Sequence, residues 1–87
     1  MKLNIDQLKK KIIYRSKYRG TKEMDKLLGA FTDKYINDLD DKNLLDLEKL
    51  LEVDDSNLYS YFNGAPTEFE FKENYISTLF KNFDYKK

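Results

Sequence analysis

Residues 18–25 read Tyr-Arg-Gly-Thr-Lys-Glu-Met-Asp, and this charged stretch, which we call the elbow, separates two segments with helical patterns. Gly20 is the first of only three glycines in the chain. A glycine just beyond a helix end is the usual left-handed cap, so Gly20 predicts the end of the first helix. Thr21 suits the N-cap of a second helix, and Glu23 and Asp25 fall in its first turn, where carboxylates complement the helix dipole.

Apolar residues recur at helical spacing on both sides of the elbow. Before it, Ile5, Leu8 and Ile12 are three and four residues apart among lysines and arginines, which predicts an amphipathic helix with a basic outer face. After it, the stripe of the second helix contains Met24, Leu27, Leu28, Phe31, Tyr35 and Leu39. Gly29 lies inside this stripe, as expected where another helix packs closely.

Acidic residues mark the start of the next two helices. Asp40 or Asp41 begins the third, and Asp54-Asp55 begins a short aromatic fourth helix, which residues 63–66 end. The core stripe of the third helix contains Leu44, Leu47, Leu50 and Leu51.

The last helix is predicted to begin at Thr67, because Thr67 and Glu70 match the capping box. Its apolar stripe contains Phe69, Ile76, Leu79, Phe80 and Phe83. The sequence therefore predicts an all-α fold, a small compact five-helix bundle that forms a single domain over residues 1–87. Seven tyrosines and six phenylalanines supply the large apolar surfaces that so small a core needs.

The composition excludes several kinds of site. The chain has no cysteine and no histidine, so it offers no disulfide, no thiolate nucleophile, no zinc–cysteine site and no neutral-pH proton shuttle. No apolar run approaches the roughly 20 residues of a membrane-spanning helix, and the basic N-terminus lacks the apolar segment of a signal peptide. We expect a soluble intracellular protein without membrane insertion.

A net charge of zero conceals a separation of charge along the chain. Residues 1–26 carry nine Lys or Arg and three acidic residues, a net charge of +6, and residues 38–56 carry two Lys and eight acidic residues, a net charge of −6. Nucleic-acid-binding domains are more often basic as a whole, so we expect no nucleic acid as a partner. The basic segment is either a solvated face or a surface that attracts an acidic partner.

The motifs do not indicate a cofactor or a catalytic site. Three scattered glycines cannot form a nucleotide-binding fingerprint, so the chain is not expected to hold FAD stably by itself. Glu23 and Asp25 are two residues apart, and on a helix such residues point in different directions, which disfavours an acid–base pair. The pairs Asp40-Asp41 and Asp54-Asp55 lack the spacing of a calcium loop and are better explained as helix caps.

A helix cap at Gly20 does not require an arginine beside it, so Arg19 needs another explanation. Its planar guanidinium is a multidentate donor suited to carboxylates at an interface, and the adjacent Gly20 would let a partner's backbone approach closely. From these residues alone, partner binding and simple solvent exposure of Arg19 remain as alternatives.

From about Tyr14 to Pro66 the chain resembles the family of flavinylation factors of succinate dehydrogenase. The resemblance rests on Arg19-Gly20 with Glu23 and Asp25, on the Leu-Leu-x-x-Phe run that begins at Leu27, and on the segment from Leu50 to Leu58. Pro66 and residues 68–83 also have counterparts in that family. Tyr18 departs from the pattern, because many members carry a second basic residue there.

The resemblance implies a five-helix protein that is not an enzyme. Such factors bind the flavoprotein subunit of succinate dehydrogenase, and in bacteria often that of fumarate reductase, and they promote the covalent attachment of FAD to a histidine of that partner. FAD is thus the partner's cofactor. The resemblance assigns partner binding to Arg19, Gly20, Thr21, Glu23 and Asp25.

Further expectations concern the state and location of the protein. We expect it to be a monomer when free and to lie in a bacterial cytoplasm, with the mitochondrial matrix as the second choice because the chain shows no targeting segment. The alternative function is an antitoxin-like or other regulatory helical protein-binding module. Co-purification would distinguish the two functions, since one requires a flavoprotein subunit and the other a toxin or cytoskeletal partner.

Overall fold

The computed structural model describes residues 4–85 and contains, within them, five α-helices and no β-strand. The helices are α1 (Ile5–Lys17), α2 (Lys22–Tyr35), α3 (Asp41–Leu51), α4 (Asp55–Phe62) and α5 (Tyr75–Lys81), and a 3₁₀ turn (Ile36–Asp38) follows α2. This confirms the predicted all-α fold with five helices. The predicted domain of residues 1–87 also includes residues 1–3 and 86–87, which lie outside the described residues.

Each helix begins at a short polar side chain that accepts a hydrogen bond from a backbone N–H of the first turn. These N-caps are Asn4, Thr21, Asp40, Asp54 and Asn74. The cap predicted at Thr21 is confirmed, and of the acidic residues proposed to begin α3 and α4 the structure uses Asp40 and Asp54. A cap of this kind stabilises a helix by about 1 kcal/mol, because it satisfies a donor that has no partner within the helix.

One hydrophobic core is shared by all five helices. α1 packs against α2 and α3, and α5 packs against α3 and α4. The aromatic centre of the core is Phe31 of α2 and Phe80 of α5, which are fully buried and meet edge to face with 5.3 Å between ring centroids. The predicted stripe of α3 is confirmed, since all four of its leucines are buried. None of the helices in residues 4–85 is long and apolar enough to cross a membrane.

The structure tests two predictions about α2, one for Leu39 and one for Gly29. The helix ends at Tyr35, and Leu39 lies beyond the 3₁₀ turn in extended backbone, so the prediction that Leu39 continues the helical stripe is wrong. Gly29 is buried, and a β-carbon there would lie 3.3 Å from Cγ of Lys17. The predicted close approach of another helix at Gly29 is confirmed, because Lys17 is the last residue of α1.

The predicted start of the last helix at Thr67 is wrong. α5 begins at Tyr75, where Asn74 and Ser77 form a reciprocal capping box, and residues 63–74 form an irregular connection. Thr67 does not bond the backbone N–H of Glu70; its hydroxyl donates instead to the carbonyl of Phe69 at 2.7 Å.

Contacts with α4 explain why the segment after Thr67 is not helical. Oδ1 of Asn57 accepts hydrogen bonds from the backbone N–H groups of Glu68 and Phe69. The ring of Phe71 stacks on Tyr61 with 4.0 Å between centroids. Phe69, predicted to lie in the core stripe, is 45% exposed. These distant contacts outweigh a local capping signal that is worth only about 1 kcal/mol.

Candidate functional site

Gly20 is the point at which the chain reverses between α1 and α2. Its φ is +112°, a backbone conformation that side chains with a β-carbon rarely adopt. The prediction that Gly20 directly caps α1 is wrong, because Tyr18 is the C-cap and donates its backbone N–H to the carbonyl of Tyr14. Gly20 instead turns the chain two residues later, so that Thr21 reaches the N-cap position of α2.

The guanidinium of Arg19 points inward from the elbow. Nε donates to Oδ1 of Asp55 at 2.9 Å, Nη1 to the carbonyl of Leu51 at 2.6 Å, and Nη2 to the carbonyl of Val53 at 2.8 Å. A longer bond of 3.4 Å joins Nη1 to the carbonyl of Arg15. The side chain is only 10% exposed. We call Arg19, Leu51, Val53 and Asp55 the Arg19 cluster.

The Arg19 cluster joins the elbow to the junction between α3 and α4. Leu51 is the last residue of α3, where carbonyl groups lack helical partners and the helix dipole is negative, so a cation is favourable there. Asp55 is the first residue of α4 and is 26% exposed at its side chain. A charged, bidentate-capable donor such as guanidinium can satisfy both the carbonyls and the carboxylate, whereas a lysine ammonium has no such planar fork.

Asp25 holds the backbone of the same elbow. Its Oδ1 accepts a short hydrogen bond from the backbone N–H of Arg19. Glu23 is exposed, whereas Asp25 is half-buried, so the two carboxylates face different surroundings, as their spacing predicted.

The outer side of the elbow is open. Gly20, Thr21 and Glu23 are exposed, and a β-carbon built on Gly20 would meet no atom within 4 Å. The two tyrosines next to it are also exposed: Tyr14 by 64% and Tyr18 by 70%, with ring centroids 4.7 Å apart. The elbow thus combines an interior face held by Arg19 and Asp25 with an accessible exterior face.

The five residues predicted to bind a partner all lie at the elbow. Simple solvent exposure, one of the two alternatives for Arg19, is wrong, because its guanidinium is bonded within the chain. Contact of these five residues with a partner stays a prediction. Sequence reasoning missed the bond between Asp55 and Arg19, because it explained Asp55 only as a helix cap. It also missed the exposed pair Tyr14 and Tyr18. These tyrosines are four residues apart and lie outside the apolar stripe, a pattern that predicts two neighbouring exposed rings.

Charge is distributed unevenly around the site. Two ion pairs connect α1 to its neighbours: Lys11 Nζ lies 2.6 Å from Glu48 of α3, and Lys17 Nζ lies 3.4 Å from Asp33 of α2. Other basic side chains of α1 and early α2 face solvent, among them Lys10, Arg15 and Lys22. These cations outnumber the exposed carboxylate of Glu23, so the surface around the elbow is positive on balance.

One carboxyl group beside the Arg19 cluster has a shifted pKa. The pKa of Asp54 is lowered from its ordinary value of 3.8, chiefly because the side chain of Asn57 donates a hydrogen bond of 2.6 Å to it. A hydrogen bond to the ionised form favours that form. This carboxylate acts as the N-cap of α4, so its role is structural.

A cleft of roughly 240 Å³ lies between α3 and the connection before α5. Leu50, Val53, Phe69 and Phe71 supply its apolar lining, and Lys49 and Glu70 are among its charged residues. It is smaller than the roughly 300–1,000 Å³ of typical small-molecule and cofactor sites, so it gives no support for a nucleotide site. Across residues 4–85, no three acidic side chains come together as metal ligands.

Comparison with known proteins gives one family and one curated relative. A family model described as a flavinator of succinate dehydrogenase matches residues 10–84. The chain is similar to the mitochondrial succinate dehydrogenase assembly factor 2 of Dictyostelium discoideum, with 38% identity over 69 residues that cover 76% of this chain and 49% of that protein. It thus spans about half the length of this curated relative. No solved structure gives a significant match.

Proposed function

The chain belongs to the family of flavinators of succinate dehydrogenase, and we propose that it binds the flavoprotein subunit of that enzyme and promotes covalent attachment of FAD to it. The observation that carries this proposal is the family match over residues 10–84, which includes the whole elbow, the four helices α2 to α5 and most of α1. The relative's name supports it, since that protein is a succinate dehydrogenase assembly factor.

The proposed mode of action is binding, not catalysis. FAD belongs to the partner, and the partner's own residues carry out the attachment. This chain binds the arrangement of the partner in which attachment is possible, and preferential binding of one arrangement raises its population. The lack of any histidine or cysteine agrees with a factor that supplies a surface and no reactive group.

We place the partner contact on the exterior of the elbow. Gly20, Thr21 and Glu23 form its accessible face, and no side chain covers Gly20. Arg19 and Asp25 contribute by fixing the backbone that presents these three residues. A rigid, preformed surface binds more tightly than a mobile one because less conformational entropy is lost on binding.

The client can extend to the flavoprotein subunit of fumarate reductase, and both clients can be tested with the same assay. The alternative of an antitoxin-like regulator gains nothing from the family match. Co-purification decides between them, because the proposal requires a flavoprotein subunit among the captured proteins.

The test is in-gel flavin fluorescence of the denatured flavoprotein subunit, produced with FAD available and with attachment incomplete when no factor is present. Wild-type protein should raise the covalent fluorescence, and Gly20→Arg should abolish the rise because it places a bulky cation on the contact face. Gly64→Arg is the matched control, since Gly64 also has positive φ, +75°, and open space around it. Each substitution should cost about 1 kcal/mol of stability through backbone strain.

Three outcomes would contradict the proposal in different ways. Equal fluorescence with and without wild-type protein would contradict the flavinylation function. Full activity of Gly20→Arg would place the contact elsewhere on the chain. Equal loss in Gly20→Arg and Gly64→Arg, with loss of helical circular dichroism in both, would indicate unfolding instead of a blocked surface.

We further propose that the free protein is a monomer in a bacterial cytoplasm. The name of the Dictyostelium relative places that protein in mitochondria, and it says nothing of this chain. Light scattering after size exclusion tests the first proposal, and fractionation of the source cells tests the second.

A further inference from the structure

The direction of neighbouring side chains at the elbow assigns different roles to Tyr18 and Arg19. Arg19 turns inward and is 10% exposed at its side chain, whereas Tyr18 is 70% exposed. Tyr14, one helical turn earlier, is 64% exposed, and its ring lies 4.7 Å from that of Tyr18 with a tilt of 35°. The elbow therefore presents to solvent two tyrosines whose rings lie close together at a tilt.

An exposed pair of neighbouring tyrosines is well suited to protein recognition. Tyrosine offers a large apolar surface with few rotatable bonds, so it loses little conformational entropy on binding, and it is enriched among the residues that dominate binding energy. The phenolic oxygens remain available for hydrogen bonds to polar groups of a partner.

The surroundings of the pair specify the charge of its partner. Lys10 lies one turn before Tyr14 on the same face of α1, Arg15 follows Tyr14 directly, and Lys22 begins α2. None of the ion pairs formed within residues 4–85 uses these three cations. These three cations are exposed and outnumber the exposed carboxylate of Glu23, so the surface that carries the tyrosines is positive on balance and complements an acidic one.

We propose that the Tyr14–Tyr18 pair is the main anchor for an acidic surface of the flavoprotein subunit, with the surrounding cations attracting that surface. This rests on the proposed function and deepens it, because it adds the two tyrosines, as the main anchor, to the contact face formed by Gly20, Thr21 and Glu23. Arg19 is then a positioning residue, which holds the backbone between Tyr18 and Gly20 through the Arg19 cluster. A protein surface fits better than a nucleic acid, because nucleic-acid-binding domains are more often basic as a whole and this chain has a net charge of zero.

The experiment measures the dissociation constant of the full chain for the purified flavoprotein subunit by calorimetry or interferometry. Tyr14→Ala and Tyr18→Ala should each weaken binding about 10-fold or more, as expected for aromatic anchors at an interface. Tyr18→Phe should retain most of the affinity. Tyr75→Ala is the matched control, because Tyr75 is also exposed, by 58%, but lies on α5. Its affinity should stay within about 2-fold of wild type.

Salt dependence separates the two parts of the proposed surface. Raising the salt concentration should weaken wild-type binding, because exposed charges are screened. Arg15→Gln and Lys10→Gln should reduce this salt dependence, whereas Tyr18→Ala should lower affinity and leave the salt dependence unchanged. The tyrosines are exposed, so circular dichroism and the urea midpoint should be the same in all these variants and the wild type.

The possible results distinguish this inference from the proposed function. Absence of wild-type binding to the flavoprotein would overturn the function. Wild-type binding that persists unchanged in Tyr14→Ala and Tyr18→Ala would overturn the inference and leave the function intact. Binding of single-stranded DNA or anionic vesicles as tight as binding of the flavoprotein, and equally sensitive to these tyrosines, would overturn the assignment to an acidic protein surface.

Discussion

Two connections between helices in this protein are fixed by different means. The four residues between α1 and α2 are held by Arg19, which bonds to the end of α3 and the start of α4. The twelve residues between α4 and α5 are held by Asn57 and by aromatic stacking on Tyr61. The first connection presents an open exterior face, whereas the second covers part of α3 and leaves a cleft.

This difference between the two connections shows that the proposed contact surface at the elbow depends on Arg19, whose charged side chain points away from that surface. The short connection carries few apolar residues, so its shape depends on hydrogen bonds to a guanidinium that water reaches poorly. The long connection buries aromatic surface, and it can lose one hydrogen bond and keep its position. Removal of the two fixing residues should therefore have unequal effects.

The largest effect is expected for Arg19→Ala. This change leaves the carbonyls of Leu51 and Val53 and the carboxylate of Asp55 without their partner, and it should lower the free energy of unfolding by about 2–4 kcal/mol. Urea denaturation at neutral pH measures this loss of unfolding free energy. Arg15→Ala is the control, since Arg15 is exposed and its loss should cost about 0.5 kcal/mol or less. A loss below about 1 kcal/mol for Arg19→Ala would show that the Arg19 cluster does not fix the elbow.

A smaller effect is expected for Asn57→Ala. The change removes the acceptor of the Glu68 and Phe69 N–H groups, which are exposed enough to bond water instead, so the cost should be about 1–2 kcal/mol. Hydrogen exchange of these two amides should accelerate, and the amides of α1 should not change. Asn82→Ala removes a single local bond to the carbonyl of Thr78 and serves as the control. If both variants lose the same stability, Asn57 has no special role in holding the long connection.

The start of α5 gives a third comparison, between the cap predicted from sequence and the cap observed. Asn74→Ala removes the observed N-cap and should lower the free energy of unfolding by about 1 kcal/mol. Thr67→Ala should lower it by only about 0.3 kcal/mol, because the hydroxyl of Thr67 bonds a nearby exposed carbonyl and caps no helix. Urea denaturation of both variants decides the matter. A larger loss for Thr67→Ala would mean that the helix begins at Thr67 in solution.

What could be predicted from the sequence follows from the distance over which each interaction acts. Thr21, Asp40 and Asp54 were predictable as N-caps because each bonds an N–H three residues away. The apolar stripes of α2 and α3 were predictable from helical spacing. The position of the turn at Gly20 was predictable, but Gly20 does not cap α1 directly as predicted.

The features that the sequence did not predict depend on contacts between residues that are far apart in the chain. Arg19 and Asp55 are separated by 36 residues, and no local pattern indicates that they meet. Thr67 and Glu70 matched a capping box, but Asn57, 11 residues before Glu68, supplied a competing hydrogen bond. The family resemblance located the elbow, yet it could not show which side chain faces inward, because that depends on how α3 and α4 pack against α1.

The smallest effect is expected from titration of Asp54, at the junction that the two connections share. Its pKa is lowered in the folded protein, mainly by the Asn57 side chain, so the unfolded chain binds this proton at a higher pH. Its contribution to stability is therefore present above pH 3.8 and lost as pH falls through the lowered pKa. Carboxyl NMR titration should show Asp54 below 3.8 in wild type and closer to 3.8 in Asn57→Ala. In Asp54→Asn the cap remains but cannot titrate, so its urea midpoint should approach that of wild type as the pH is lowered through this range. A wild-type pKa at or above 3.8 would contradict the hydrogen bond between Asp54 and Asn57, and with it the assignment of Asn57 as the residue that links the start of α4 to the long connection.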